Sequence, residues 1–373
     1  MIGLVRSAAA AAGGRAAFYW VEMERTMRPA GTWWTVLLGL VVLWVGLPLG
    51  SGAAVPPSWE DLQAVYTYDP ALPLDAEVGE AEAGEGMLRH AVRFDSTNDE
   101  RVPAVLFTPQ ESEEPVGAVL LLHGLGGSKD DVWLRALAGT LAQNGIAAMA
   151  IDAQYHGERR RQGAELLGAD LARTREAMVQ TVVDNRRALD FLATRTDINP
   201  DRIGLLGASM GAILGTIVAA VDQRVCSACL VVGGGRWELL ARQSHHPAAA
   251  ALAGALATPE AQAAIGTVDP VNFIAHLAPR PVLMLNGRQD DIVPPECAQA
   301  LFEAAQEPKE IVWYDGGHLP DPATAMTVLG GWVRETFGVG PPPPQTAVPG
   351  SGPNRALSAR TGDVGYVTVE AAG

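Results

Sequence analysis

Five residues, Gly207-Ala208-Ser209-Met210-Gly211, set one hydroxyl between two glycines. The apolar run Arg202-Ile203-Gly204-Leu205-Leu206 precedes them, and Ala212-Ile213-Leu214-Gly215-Thr216-Ile217-Val218 follows. This pattern predicts a strand, a tight turn and a helix, with Ser209 at the apex and glycines where strand and helix crowd together. A serine so placed can attack an acyl carbon once a base takes its proton and an acid orients the base. The pentapeptide alone is a weak signal, because Gly, Ala and Ser also populate ordinary turns. What surrounds the turn decides.

Two later segments hold the missing residue types. Residues 280–286 read as a buried strand that stops at Gly287, and the loop beyond it carries Asp290 and Asp291. Residues 310–314 read as another strand, which runs into Asp315-Gly316-Gly317-His318. Open α/β sheets gather their sites along the carboxyl edge, so an acid and a histidine are expected on the same edge as Ser209. Upstream, Val119-Leu120-Leu121-Leu122 leads into His123-Gly124-Leu125-Gly126-Gly127. A glycine-rich loop there can aim backbone N–H groups at a developing oxyanion. The expected donors are the amides of Leu125 and Met210.

These motifs, in this order, resemble the α/β-hydrolase superfamily in its dienelactone-hydrolase-like and acyl-esterase-like branch. The resemblance covers residues 88–338 and rests on His123-Gly124-x-Gly126-Gly127, Gly207-x-Ser209-x-Gly211, Gly287-x-x-Asp290-x-x-Val293-Pro294 and Gly317-His318. It implies Ser209 as nucleophile, Asp290 as acid and His318 as base, with Asp291 a solvated loop carboxylate. Dienelactone hydrolases proper use cysteine, so a serine here points to ester hydrolysis of another kind. The segment Asp152-Ala153-Gln154-Tyr155-His156-Gly157-Glu158 resembles the family's stretch after the fourth strand. There Asp152, His156 and also His123 are expected to brace the oxyanion loop, and Tyr155 to face the acyl pocket.

The elements needed to position these groups are legible as α/β. Strands alternate with helices, which implies parallel pairing and right-handed crossovers. We expect a mostly parallel central sheet of about eight strands with helices on both faces. The segment 131–144 reads as a helix stopped by Asn144-Gly145, and 171–195 as a long amphipathic helix. Residues 233–278 form an insertion between the sixth and seventh of these strands, expected as a small lid, with Trp237 and Phe273 as candidates either to line the pocket or to pack the lid onto the domain. Residues 55–87 read as a connecting segment, with the acidic stretch 77–85 as an exposed loop.

Composition bounds the rest. The chain has 373 residues and a formal charge of −15, which disfavours nucleic acid and anionic surfaces as partners. A small-molecule ester is the expected partner, and no cofactor is called for. His245-His246 lacks the further convergent ligands that zinc requires, so no metal site is expected. Cys226 and Cys229 lie on one strand, about 10 Å apart over three residues, beyond disulfide reach. Residues 33–49 are apolar and uncharged and are followed by Ser51-Gly52-Ala53, so residues 1–54 read as a tail with a signal peptide or membrane anchor. Met27 offers an alternative start before that run. The enzyme is accordingly expected outside the cytoplasm, exported or anchored. Past Gly338, a Pro-rich and Gly-rich tail (339–373) is expected to lack order. Two other readings stay open. One is a peptidase of the prolyl-oligopeptidase type, although the short stretch before the first strand has no room for a propeller. The other is a non-catalytic, membrane-tethered binding module.

Overall fold

Short runs of Val, Leu, Ile and Ala without a polar break form the middle of the sheet, because strands covered on both faces need no alternation. The computed structural model describes residues 57–339, which fall in one compact unit beginning at Pro56. The sequence expectations for residues 1–54 and for the tail beyond 339 lie outside the described residues. Among the described residues no helix is long and apolar enough to cross a membrane.

The strands are β1 (Glu77–Val78), β2 (Glu82–Gly84), β3 (Met87–Asp95), β4 (Arg101–Pro109), β5 (Val116–Leu122), β6 (Ala147–Ile151), β7 (Ile198–Ala208), β8 (Val225–Val231), β9 (Val282–Gly287) and β10 (Lys309–Tyr314). They form one ten-stranded sheet in the order β1-β3-β4-β6-β5-β7-β8-β9-β10, with β2 paired to β3. Strands β6, β5, β7, β8, β9 and β10 are mutually parallel, while the pairings that bring in β1 to β4 are antiparallel. The sequence led us to expect about eight strands. The two extra ones, β1 and β2, come from the acidic stretch expected to be a loop. Apart from Val78, their residues have little strand preference, and all of them are exposed. They exist because β3 offers them an unpaired edge.

Helices cover both faces. On one side lie α3 (Leu171–Ala193) and α4 (Met210–Val221), packed on Leu120, Leu205, Leu230 and Met284. On the other lie α2 (Val132–Gln143) and the last helix, Pro322–Phe337, packed on Val119, Leu121, Leu206 and Leu285. Helix α4 is apolar all round and buried along almost its whole length, as expected of a helix enclosed by its neighbours.

The connecting segment belongs to the core. Helix α1 (Trp59–Ala64) starts at a reciprocal cap between Ser58 and Asp61. Just beyond it Tyr66 is fully buried, and its hydroxyl donates to the carbonyl of Thr267 at 2.7 Å. The Trp59 ring stacks on His276 with centroids 3.7 Å apart. Phe273 meets both Trp59 and Tyr66 edge-on, at 6.1 and 5.6 Å.

The insertion carries α5 (Trp237–Gln243), α6 (Pro247–Ala255) and α7 (Pro259–Ile265). It is held at both ends of its chain by one carboxylate. Asp269 accepts from the backbone N–H groups of Arg236, Trp237 and Val271 at 3.0 to 3.2 Å. Burial pushes the Asp269 carboxyl above its usual range even though those three donors pull it down.

The substrate-binding role of two aromatics is corrected here, in favour of the packing alternative. Phe273 has no accessible surface and Trp237 is 3% exposed. The Trp237 indole donates to the carbonyl of Val268 at 3.0 Å. Both rings anchor the insertion to the body and do not line an open pocket. Phe273→Ala should therefore destabilise the protein by about 3–5 kcal/mol, read as a lower urea midpoint.

Candidate active site

The turn after β7 is strained as the two glycines imply. Ser209 has φ 56° and ψ −119°, a backbone region that costs an L-residue about 1–3 kcal/mol. A Cβ on Gly207 would stand 2.1 Å from the carbonyl oxygen of Gly211, and one on Gly211 would stand 2.2 Å from that of Leu122. Strand, turn and helix thus approach more closely than any side chain would allow. The Ser209 amide donates to the carbonyl of Val231 at 2.9 Å, tying the turn to β8.

His318 Nε2 lies 3.0 Å from Ser209 Oγ, and its Nδ1 lies 2.9 and 3.0 Å from the two oxygens of Asp290. With Nδ1–H donating to the carboxylate, Nε2 is left to accept from the serine hydroxyl. Asp290 is 3% exposed. Its Oδ1 also accepts from the amides of Ile292 and Val293, each at 2.9 Å. Those two bonds fold the loop after β9 around the carboxylate and fix its direction. Asp291 points elsewhere, with its side chain 60% exposed and 3.3 Å from His245 Nδ1. The structure therefore brings Ser209, His318 and Asp290 together and separates Asp291 from them. His245, once weighed as a metal ligand, faces that exposed carboxylate. Among the described residues no group of three or more His, Cys, Asp or Glu side chains could hold a metal ion.

The glycine-rich loop after β5 is pinned from the segment that follows β6. His123 Nδ1 donates to the carbonyl of Gly124 at 2.8 Å, and its Nε2 accepts from the amide of Ala153 at 3.1 Å. His156 repeats the pattern, with Nδ1 donating to the carbonyl of Gln154 at 2.9 Å and Nε2 accepting from the amide of Gly126 at 2.9 Å. Each ring has one donating and one accepting nitrogen, so both must be neutral. Burial holds both below the usual histidine range. Asp152 is fully buried and accepts from the amides of Lys129 and Glu158, each at 2.9 Å. In this arrangement the Gly126 amide is consumed by His156. The amides of Leu125 and Met210 have no backbone acceptor among the described residues.

Tyr155 adopts φ 63° beside this network and is half-buried against the core. Sequence reasoning missed Lys129, whose buried ammonium reaches Asp130, Asp152 and Glu158 and is raised well above the usual lysine range by those acids, against burial. A lone lysine two residues after Gly-Gly, with acids at 152 and 158, was the available signal.

Comparison with known proteins bears on the family and the fold. The alpha/beta hydrolase family model matches residues 119–325, and the chain belongs to that family. The Bacillus subtilis protein YtaP, described as a hydrolase, is 29% identical over 165 residues, or 41% of this chain; the match spans only 55% of YtaP's length. The esterase YjfP of Escherichia coli is 26% identical over 206 residues, covering 53% of this chain and 78% of YjfP. Among solved structures, an acetyl xylan esterase from Paenibacillus sp. R4 superposes with a TM-score of 0.63 at 20% identity, covering 78% of this chain and all of that one.

The neutral histidines carry a pH consequence. Because His123 and His156 take up protons at lower pH in the folded chain than in the unfolded one, acid favours unfolding. Their contribution is fully present above about pH 6.5 and is lost as pH falls toward their depressed native values. The thermal midpoint of the wild type should fall more steeply between pH 7 and 5 than that of His156→Gln.

Proposed function

We propose that the protein is a serine carboxylic-ester hydrolase working through an acyl-enzyme. The observation that carries this reading is the unbroken line Ser209–His318–Asp290 on a strained turn at the carboxyl edge of the sheet. His318 Nε2, 3.0 Å from Ser209 Oγ, takes the hydroxyl proton as Oγ attacks the ester carbonyl carbon. The Asp290 carboxylate holds the imidazole in the required tautomer and steadies the imidazolium. The carbonyl oxygen, now negative, is bound by the amides of Leu125 and Met210. His318 then gives its proton to the departing alkoxide. Water, activated by the same ring, releases the acid and restores Ser209.

The names of the similar proteins YjfP and the acetyl xylan esterase support ester rather than amide substrates. The substrate is a small ester, and no cofactor takes part. The apolar run at 33–49 supports a place outside the cytoplasm for this chemistry, exported or membrane-anchored, which cell fractionation would test.

Ser209→Ala should keep the wild-type unfolding midpoint within a few degrees and lower p-nitrophenyl ester turnover by about 10⁴-fold or more. A fluorophosphonate probe should label the wild type and leave Ser209→Ala unlabelled. Turnover retained by Ser209→Ala would refute the nucleophile, and faster cleavage of matched anilides than of esters would favour the peptidase reading.

A further inference from the structure

Three consecutive arginines, Arg159, Arg160 and Arg161, end the turn that follows β6. The outer two are neutralised. Arg159 is buried and pairs with Asp184 and Glu100, and Arg161 pairs with Glu100. The other acids of this neighbourhood are also engaged, Asp152 by Lys129 and Glu158 by Lys129 and Arg93. Arg160 differs from both. It is exposed, makes no ion pair among the described residues, and has one guanidinium N–H on the carbonyl of Gly126 at 3.2 Å. Gly126 directly follows Leu125, whose amide is assigned to the oxyanion. Arg160 is also close enough to the oxyanion loop for its charge to help keep the His156 ring neutral.

A guanidinium has five donors in a fixed fork, and four of these have no partner among the described residues, beside the loop that carries Leu125. What sets Arg160 apart from the other arginines without a carboxylate is its contact with the carbonyl of Gly126, the residue after Leu125. A planar fork of this kind fits a carboxylate through two parallel bonds. We propose that Arg160 is a specificity-determining residue that binds an anionic group, a carboxylate, carried by the ester substrate a few bonds from the scissile carbonyl. This inference rests on the ester-hydrolase reading of Ser209. It narrows the substrate class to acidic esters, such as half-esters of dicarboxylic acids or acyl esters of hydroxy acids.

The competing role for Arg160 is to brace Gly126 alone, and the two roles separate in a ratio. kcat/KM would be measured for two pairs, each an anion and its neutral ester. Monomethyl succinate against dimethyl succinate puts the charge on the acyl half, and 4-acetoxybenzoate against its methyl ester puts it on the alcohol half. Arg160→Gln should lower the anionic-to-neutral ratio about tenfold or more in at least one pair, and Arg160→Lys should recover part of it. Arg236, an exposed arginine on the loop after β8 without an acidic partner among the described residues, provides the charge control. Arg236→Gln should leave both ratios within about twofold, if the effect is a contact and not the general field. An equal fall of both esters in Arg160→Gln, with the ratio unmoved, would overturn the proposal, as would an equal shift from Arg236→Gln. Failure of the wild type to cleave even the neutral esters would instead refute the hydrolase reading, and this inference with it.

Discussion

One serine is held in a backbone conformation that an L-residue avoids, and the centre of the sheet is arranged around keeping it there. Ser209 cannot relax into the helix behind it or the strand before it. Gly207 and Gly211 let the carbonyls of Gly211 and Leu122 close in where side chains would otherwise stand, and β8 holds its amide. Helix α4 is buried on every side, so it cannot rotate to ease the turn. The local cost, about 1–3 kcal/mol, is spread over the packing of the two central strands and their helix. The result is a hydroxyl whose direction is set before any substrate arrives.

The groups that face this hydroxyl are fixed by the same logic of strand ends. Asp290 is aimed by two amides of its own loop, and His318 by Asp290 in turn. The loop after β5 has no regular structure of its own, and it borrows rigidity from the segment after β6 through two neutral histidines and one buried carboxylate. Each of these contacts uses a donor or acceptor that the loop would otherwise leave unsatisfied, so the bracing also decides which amides remain free. Gly126 is occupied by His156, while the amide before it, that of Leu125, has no backbone acceptor among the described residues.

Much of this could be read from residues alone, because tight turns and buried parallel strands leave unambiguous local marks. The Gly-x-Ser-x-Gly turn, the strand that ends at Gly287 and the histidine after Gly316-Gly317 each combine a rigid element with a glycine stop. The choice between Asp290 and Asp291 rested on motif spacing. What separates them physically is an amide-capped loop that buries one carboxylate and exposes the other. Trp237 and Phe273 were harder, since an aromatic ring in an aperiodic insertion has no pattern to say whether it faces a pocket or the core. Strands β1 and β2 were illegible because their residues, apart from Val78, carry little preference of their own. Their conformation is imposed by the free edge of β3. Arg160 escaped notice for a related reason, since three adjacent arginines look alike until their partners are known.

The segment before the first strand alters where the folding unit begins. Arg187 is almost wholly buried, and its guanidinium donates to the carbonyls of Leu72 and Pro73 at 2.7 and 2.9 Å. Arg186 reaches the carbonyl of Tyr66 at 2.6 Å. A chain trimmed to the span recognised by the family model, 119–325, would take away the backbone carbonyls that satisfy the buried Arg187 guanidinium and leave it Asp190 alone, and would bare the Phe273 ring. It would also lack β3 and β4, which close that side of the sheet. The boundaries by which this protein is recognised as a relative of others are therefore narrower than the boundaries within which it can hold together.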